Sequence, residues 1–446
     1  MDIYLGLFLS FVIIIFGVLR NVYVGLLLTV CWIIFASISI KRGYNIKNIL
    51  MMSYSGGKKS LVVVKTLLLI GAVTGAWMAS GTIPGIVYYC LRLIHPDTFI
   101  LFTFLICCAS SFLIGSATGT ASIVGLPLII IARSGNVNLN ITAGAIIAGV
   151  YFGDRCSPMS SSAVLVAKLT GTNLFTNIKN MFRSSVIPFI LSIGFYYEFS
   201  KLNPLKIVNI NLTNQLLSTF KIEYLILVPV LIILVLCFLK VKIQYAMILS
   251  MLVAAIAAIV IQGHKPFQVL NYIILGYKLD DHNILYNIIK GGGIASMLKT
   301  CLVVYIACAL AGILEGIKTF DGIKKTLANM KLTGSLLYGM TTLISTITAA
   351  LGCTQSIAVV LTSEIMKSCY KREENYQFAL NIENSCILTS ALIPWNIAAL
   401  FCTTILNVNM YGFLPYAFFL YIFPLVHFLD FFFREKFKTN RQLIEL

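Results

Sequence analysis

The sequence predicts an all-α, polytopic membrane protein with about 11 to 12 transmembrane helices, on three observations. Of its 446 residues, 59% are hydrophobic and only 11% are charged, whereas soluble domains carry about 25% charged residues. The apolar residues fall in long runs, and no soluble core could hide that much apolar surface. The basic residues gather in the short stretches between the runs, where they orient helices by the positive-inside rule.

Residues 1–60 read as N-terminal spans and a loop. The runs 3–19 and 22–40 follow each other directly. No basic stretch precedes the first and no small-residue cleavage site follows it, so both read as retained spans. Lys41, Arg42, Lys47, Lys58 and Lys59 come next with no acid among them, which places that loop in the cytoplasm. Residues 61–200 form a first unit. The run 61–94 is too long for one straight crossing, at ~50 Å if wholly helical. Ser80-Gly81-Thr82-Ile83-Pro84-Gly85 offers the break. The run 98–117 is of spanning length, and 120–132 is too short to cross. The run 141–168 is interrupted by Gly153-Asp154-Arg155-Cys156-Ser157-Pro158.

Residues 201–293 connect two units. The stretch Lys201 to Glu223 is polar, two spans follow at 223–239 and 244–262, and a second connection contains Asp280, Asp281 and His282. Residues 294–433 form a second unit, and 434–446 a basic cytoplasmic tail. Broken or re-entrant helices at membrane depth are tolerated only beside a cavity or inside protein. Transporters build ion sites from them.

The two units echo each other. Ser80-Gly81 aligns with Ala311-Gly312, Gly119-Thr120-Ala121-Ser122 with Cys353-Thr354-Gln355-Ser356, and Ser157-Pro158 with Ile393-Pro394. The offset drifts only from 231 (312 − 81) to 236 (394 − 158). This suggests two structural repeats. Such repeats usually insert with inverted topology, with the substrate where they meet.

Other classes are disfavoured. The net charge of +17 would suggest nucleic acid in a soluble protein, but here it lies in membrane loops. The cysteines form no Cys-x-x-Cys pair and mostly sit in apolar runs, and the histidines lack metal-ligand spacing. No cofactor is expected beyond transported Na+ and H+. Gly153-Asp154 would need a glycine at Tyr151 to match intramembrane aspartyl proteases. Asp280-Asp281 is a lone acidic pair, short of the paired motifs of prenyltransferases. Nothing suggests a symmetric selectivity filter. The expected partners are the lipid bilayer and a small ion or organic solute, with a homodimer as one arrangement.

Asp154 is the first site candidate. A charge at the bilayer centre costs at least ~2.5–3.5 kcal/mol, so it lines a cavity or has a partner. Pro158 frees the carbonyl of Asp154. Carboxylate, carbonyl and the hydroxyls of Ser157, Ser160, Ser161 and Ser162 together suit a hard cation. The competing reading is a salt bridge from Asp154 to Arg155 or Lys168. Glu383, beside Asn384, is the second candidate, because a buried carboxyl can trade a proton for a cation. Its competing reading is a solvated span end. The breaks at Thr118–Ser122 and Gly352–Ser356 put Thr120, Ser122, Thr354, Gln355 and Ser356 at helix N-termini. There they could face a polar substrate or merely cap the helix. Asn396 joins this substrate-binding group. Glu315 and Glu364 are lesser candidates.

Four stretches carry a resemblance over most of the chain. They are Gly75-Ala76-Trp77-Met78-Ala79-Ser80-Gly81-Thr82-Ile83-Pro84, Phe152-Gly153-Asp154-Arg155-Cys156-Ser157-Pro158-Met159-Ser160, Gly291-Gly292-Gly293-Ile294-Ala295-Ser296-Met297-Leu298, and Leu392-Ile393-Pro394-Trp395-Asn396. In this order they resemble the NhaC-type sodium/proton antiporters of the ion-transporter superfamily. The resemblance implies two inverted repeats, alternating access, and either sodium/proton exchange or exchange of organic acids such as malate and lactate. Two acidic residues of the usual pattern are replaced, by Ser161 and by Asn384. Asp154 and Glu383 remain.

The expectation is therefore a secondary active transporter of the bacterial cytoplasmic (inner) membrane. Sodium/proton antiport at intramembrane carboxylates is the first reading. The alternative is a sodium-coupled or exchange carrier of a small organic acid or amino acid. The loss of two carboxylates weakens multi-proton antiport and favours the alternative.

Overall fold

A computed structural model describes residues 2–20, 22–93, 95–205, 210–239, 241–279, 291–317, 319, 321–330 and 332–444. The expected pair Asp280-Asp281 and His282 lie outside the described residues, as do the tail side chains beyond Arg434. The helices are α1 (Asp2–Leu19), α2 (Val24–Lys41), α3 (Ile46–Ala79), α4 (Thr82–Leu93), α5 (Phe99–Ile114), α6 (Ala117–Ser134), α7 (Leu139–Cys156), α8 (Ser161–Thr170), α9 (Leu174–Leu202) and α10 (Ile210–Thr219). After them come α11 (Val228–Phe238), α12 (Ile243–Val260), α13 (Pro266–Leu275), α14 (Ile294–Gly316), α15 (Asp321–Ala328), α16 (Gly334–Gly352), α17 (Gln355–Met366), α18 (375–390), α19 (Ile397–Leu406) and α20 (Phe418–Ile444). The protein is thus a polytopic, helical membrane protein.

Among the described residues, seven helices are long and apolar enough to cross a membrane alone. The expected 11 to 12 spans counted apolar runs, and several runs are divided between short helices such as α8 and α19. Large apolar side chains point outward on the peripheral helices, among them Phe8, Leu26, Ile190 and Leu231. Lipid is the solvent that such faces require.

The run 61–94 breaks where expected, between α3 and α4 at Ser80-Gly81. The run 141–168 breaks between α7 and α8. Pro158 supplies no N–H and restricts the residue before it, so Ser157 is extended (φ −82°, ψ 138°) and α7 stops. Of two further breaks, one stands slightly upstream of the expected place and one falls within it. The first is at Gly115-Ser116, not at Thr118–Ser122, which lies inside α6. Gly115 takes φ +69°, open to glycine at little cost, and Ser116 caps the next helix by accepting from the Gly119 N–H. The other is at Cys353-Thr354, where Cys353 takes φ +53° and Thr354 accepts from the Ile357 N–H.

These breaks give the two units one element order: helix, break, helix, then helix, break, short helix, then a long helix. α5 to α9 make the first unit and α16 to α20 the second. The caps Ser116 and Thr354 stand 238 residues apart (354 − 116), and Ser160 and Asn396 stand 236 apart (396 − 160). Two expected matches do not hold. Gly119–Ser122 lies inside α6 while its expected counterpart Cys353-Thr354 is a break, and Ser80-Gly81 is a break while Ala311-Gly312 lies inside α14. Gly312 serves close packing there, since a Cβ on it would collide with the Met52 carbonyl and the Gly56 Cα of α3.

Candidate functional site

Asp154 occupies the last turn of α7, one turn before Pro158. Its freed carbonyl accepts hydrogen bonds from the hydroxyls of Ser160 and Ser162. Its carboxylate accepts three more. Oδ2 accepts from Ser162 Oγ at 3.0 Å and from Gln355 Nε2 at 2.9 Å, while Oδ1 accepts from the Ala117 N–H at 3.4 Å. These donors come from the starts of α6, α8 and α17, where helix N–H groups are otherwise unpaired and favour an anion. α7 can approach α5 because residue 153 is glycine. A Cβ there would overlap the backbone of Ser111 and Phe112.

A cavity of about 220 Å3 opens at this carboxylate. It is lined by both helix breaks, through Ser116 to Thr118 and Thr354 to Ser356, and by Ser161 and Ser162. At ~30 Å3 per water, it has room for a hydrated cation or a small organic acid.

The other candidates divide. Ser161, Thr354, Gln355 and Ser356 line the cavity. Ser160 is buried behind it and caps α8 through the Ala163 N–H. Ser157 does not line it, because its hydroxyl donates to the Phe112 carbonyl at 2.7 Å. Thr120 and Ser122 donate back to the carbonyls of Ser116 and Thr118 within their own helix. Asn396 is fully buried, donates to the Ala349 carbonyl and caps α19 by accepting from the Ala398 N–H. Among these, the capping reading accounts for the side chains of Ser160, Thr354 and Asn396. Glu315 pairs with Lys59 at the surface, at 2.7 Å, and Glu364 is exposed.

Glu383 begins a π turn in α18 (Glu383–Ile387). It is fully buried, so it is not a solvated span end, and neither carboxyl oxygen has a hydrogen-bond partner among the described residues. Its neighbour Asn384 is committed to a group that the sequence did not single out. Arg155, fully buried, donates through Nε (3.1 Å) and Nη2 to Asn384 Oδ1. It also reaches Ser185 Oγ at 2.7 Å, Ser184 Oγ at 2.8 Å and the Met181 carbonyl at 3.2 Å, and lies 4.2 Å from the Phe423 ring centroid. Among the described residues, Asp154 makes no ion pair with Arg155 or Lys168. The two neighbours point apart: Asp154 to the cavity, Arg155 to α9 and α18. A guanidinium next to a carboxylate in an apolar run was the available signal, and it suggested the wrong partner.

Residues 149–433, which include both carboxyl groups, match the Na+/H+ antiporter family. The chain is 30% identical to the Malate-2H(+)/Na(+)-lactate antiporter of Bacillus subtilis, over 93% of this chain and 90% of that protein. It is 29% identical to an uncharacterized Na(+)/H(+) antiporter of Haemophilus influenzae, over 80% of each chain. It is 26% identical to the Na(+)/H(+) antiporter NhaC of Alkalihalophilus pseudofirmus, over 83% of this chain and 81% of that one.

Proposed function

We propose that this chain, which belongs to the Na+/H+ antiporter family, exchanges sodium for protons and that Asp154 is the residue at which the two ions compete. The observation that carries this is one carboxylate held between helix breaks from both units, at a cavity that both breaks line. Sodium needs oxygen ligands. Asp154 supplies a carboxylate oxygen, and the hydroxyls of Ser161 and Ser162 stand beside it. A bound proton would occupy the same carboxylate, so the site holds one ion or the other. Glu383 serves as a second proton place. Burying an unpaired charge is costly, and a site with no hydrogen-bond partners suits a group that gains and loses a proton rather than a standing ion.

Alternating access follows from the two units. Arg133, at the end of α6, meets the carbonyls of Leu406 and Asn407 at the end of α19, and the Asn173 N–H meets the Tyr376 hydroxyl at the opposite end. These contacts support a reading in which α5–α6 enters and leaves from one side and α16–α17 from the other, with both tips at Asp154. The side of α17 carries Lys168, Lys179, Lys367, Lys371 and Arg372, which makes it the cytoplasmic side of a bacterial inner membrane.

The organic-acid reading retains one specific support, the extent of the likeness to the malate/lactate antiporter. The test of the sodium/proton reading is a trapped pH dye in proteoliposomes. Sodium pulses should dissipate an imposed pH gradient, and Asp154→Asn should not respond. Full exchange in that variant would remove Asp154 from the site.

A further inference from the structure

A second polar cavity, of about 470 Å3, lies among α9, α18 and α20 and plays no part in the site described above. Its position along the fold is fixed by contacts. Tyr196 of α9 donates to the Gly144 and Tyr416 carbonyls near the start of α7, while Ser184 and Ser185 of α9 meet Arg155 near its end. On α20, likewise, Tyr416 stands just before the helix at the Gly144 level, Phe423 covers Arg155, and His427 to Arg434 lie beyond it. The cavity therefore opens beyond Arg155, on the side with the basic loops.

Its lining has a definite chemistry. Arg183 is exposed at the mouth and has no carboxylate or hydrogen-bond partner among the described residues. Arg434 is half-committed, with Nε 2.9 Å from Asp430 Oδ1. His427 lines the interior, is only 9% exposed, and leaves Nε2 without a hydrogen-bond partner. Ser184 forms part of the floor and is the same hydroxyl that accepts from Arg155. The fixed charges are two guanidinium groups against one carboxylate, with a third guanidinium one hydroxyl below.

We propose that this cavity is a cytoplasm-facing binding site for a small organic carboxylate. The free Arg183 would hold the carboxylate from the mouth, and the idle His427 nitrogen would meet its second polar group. Arg–carboxylate recognition is the strong, oriented pairing that such a lining favours. An anion reaching Ser184 would accept the hydroxyl proton that otherwise goes to the Met181 carbonyl, on the same oxygen that accepts from Arg155. The choice of a carboxylate rests on the organic-acid reading above. The site itself does not depend on sodium/proton exchange at Asp154.

Binding can be measured without transport. The full chain in detergent is titrated calorimetrically with L-malate and separately with lactate, with agmatine, which lacks a carboxylate, as a cationic control. The expected result is saturable binding of at least one acid in the millimolar range and none of agmatine. Arg183→Gln, at an exposed position that leaves the fold intact, should weaken it at least about tenfold, the loss of one charge-assisted contact. His427→Gln should weaken it too, while Asp154→Asn, in the other cavity, should leave it unchanged. No binding of either acid, or binding indifferent to Arg183→Gln, would overturn the proposal and leave the sodium/proton reading intact. Acid binding lost in Asp154→Asn but kept in Arg183→Gln would move the organic acid to the other cavity and overturn it equally.

Discussion

Asp154 and Glu383 are both buried carboxyl groups in helices that depart from regular geometry, one in each unit, yet their surroundings are opposite. Asp154 receives three donors, from Ala117, Ser162 and Gln355, and lines a cavity. Glu383 receives none and is sealed. The donors around Asp154 are built by helix breaks, since each break exposes N–H groups and capping side chains. The π turn at Glu383 opens no such end. One carboxyl group thus has donors that can stabilise a charge, and the other has none among the described residues. Arg155 stands between them and is bound to neither, because Asn384 takes its guanidinium.

That contrast can be broken from either side. The largest loss is expected for Asp154→Asn, which removes the one charged side chain that lines the cavity among the described residues. A charged contact of about 3 kcal/mol corresponds to roughly a hundredfold in sodium-driven proton movement. Arg155→Ala should be the most damaging change to the fold, because it strands the Asn384 side-chain oxygen and empties a packed site. A cost of about 3–5 kcal/mol is expected, read as early unfolding in a detergent melt. Glu383→Gln sharpens the comparison. It keeps the shape and removes the exchangeable proton, so the melt should shift little while protons moved per sodium fall. A melt collapse like that of Arg155→Ala would mean that Glu383 is a structural counter-charge. The smallest effect on the exchange chemistry itself is expected from Gly153→Ala, which acts through packing. Its Cβ would push α7 from the Ser111–Phe112 backbone, costing about 1–3 kcal/mol, with a sodium affinity weaker than its stability loss alone would give.

Much of this was legible in the sequence where a single residue dictates backbone geometry. Pro158 ends α7, and Ser80-Gly81 separates α3 from α4. Asp154 was legible because a charge in an apolar run demands a reason. Less was legible where the same residue type serves two purposes. Gly312 aligned with Gly81, which sits at a break, but it is the seat of close packing between α14 and α3. Thr120 and Ser122 looked like the start of a helix, but the preceding Gly115-Ser116 makes the turn, and their hydroxyls fold back on their own carbonyls. Arg155 was least legible. Adjacent residues on a helix project about 100° apart, so its partners came from α9 and α18, distant in sequence.

The central claim is that sodium and protons compete for Asp154 while Glu383 carries a separate proton. Calorimetric titration of sodium into the purified full chain, repeated in two buffers of different ionisation heat, counts the protons released per sodium bound. The account predicts sodium binding with proton release in the natural sequence, no binding in Asp154→Asn, and retained binding with fewer protons released in Glu383→Gln. Undiminished sodium binding in Asp154→Asn would contradict it.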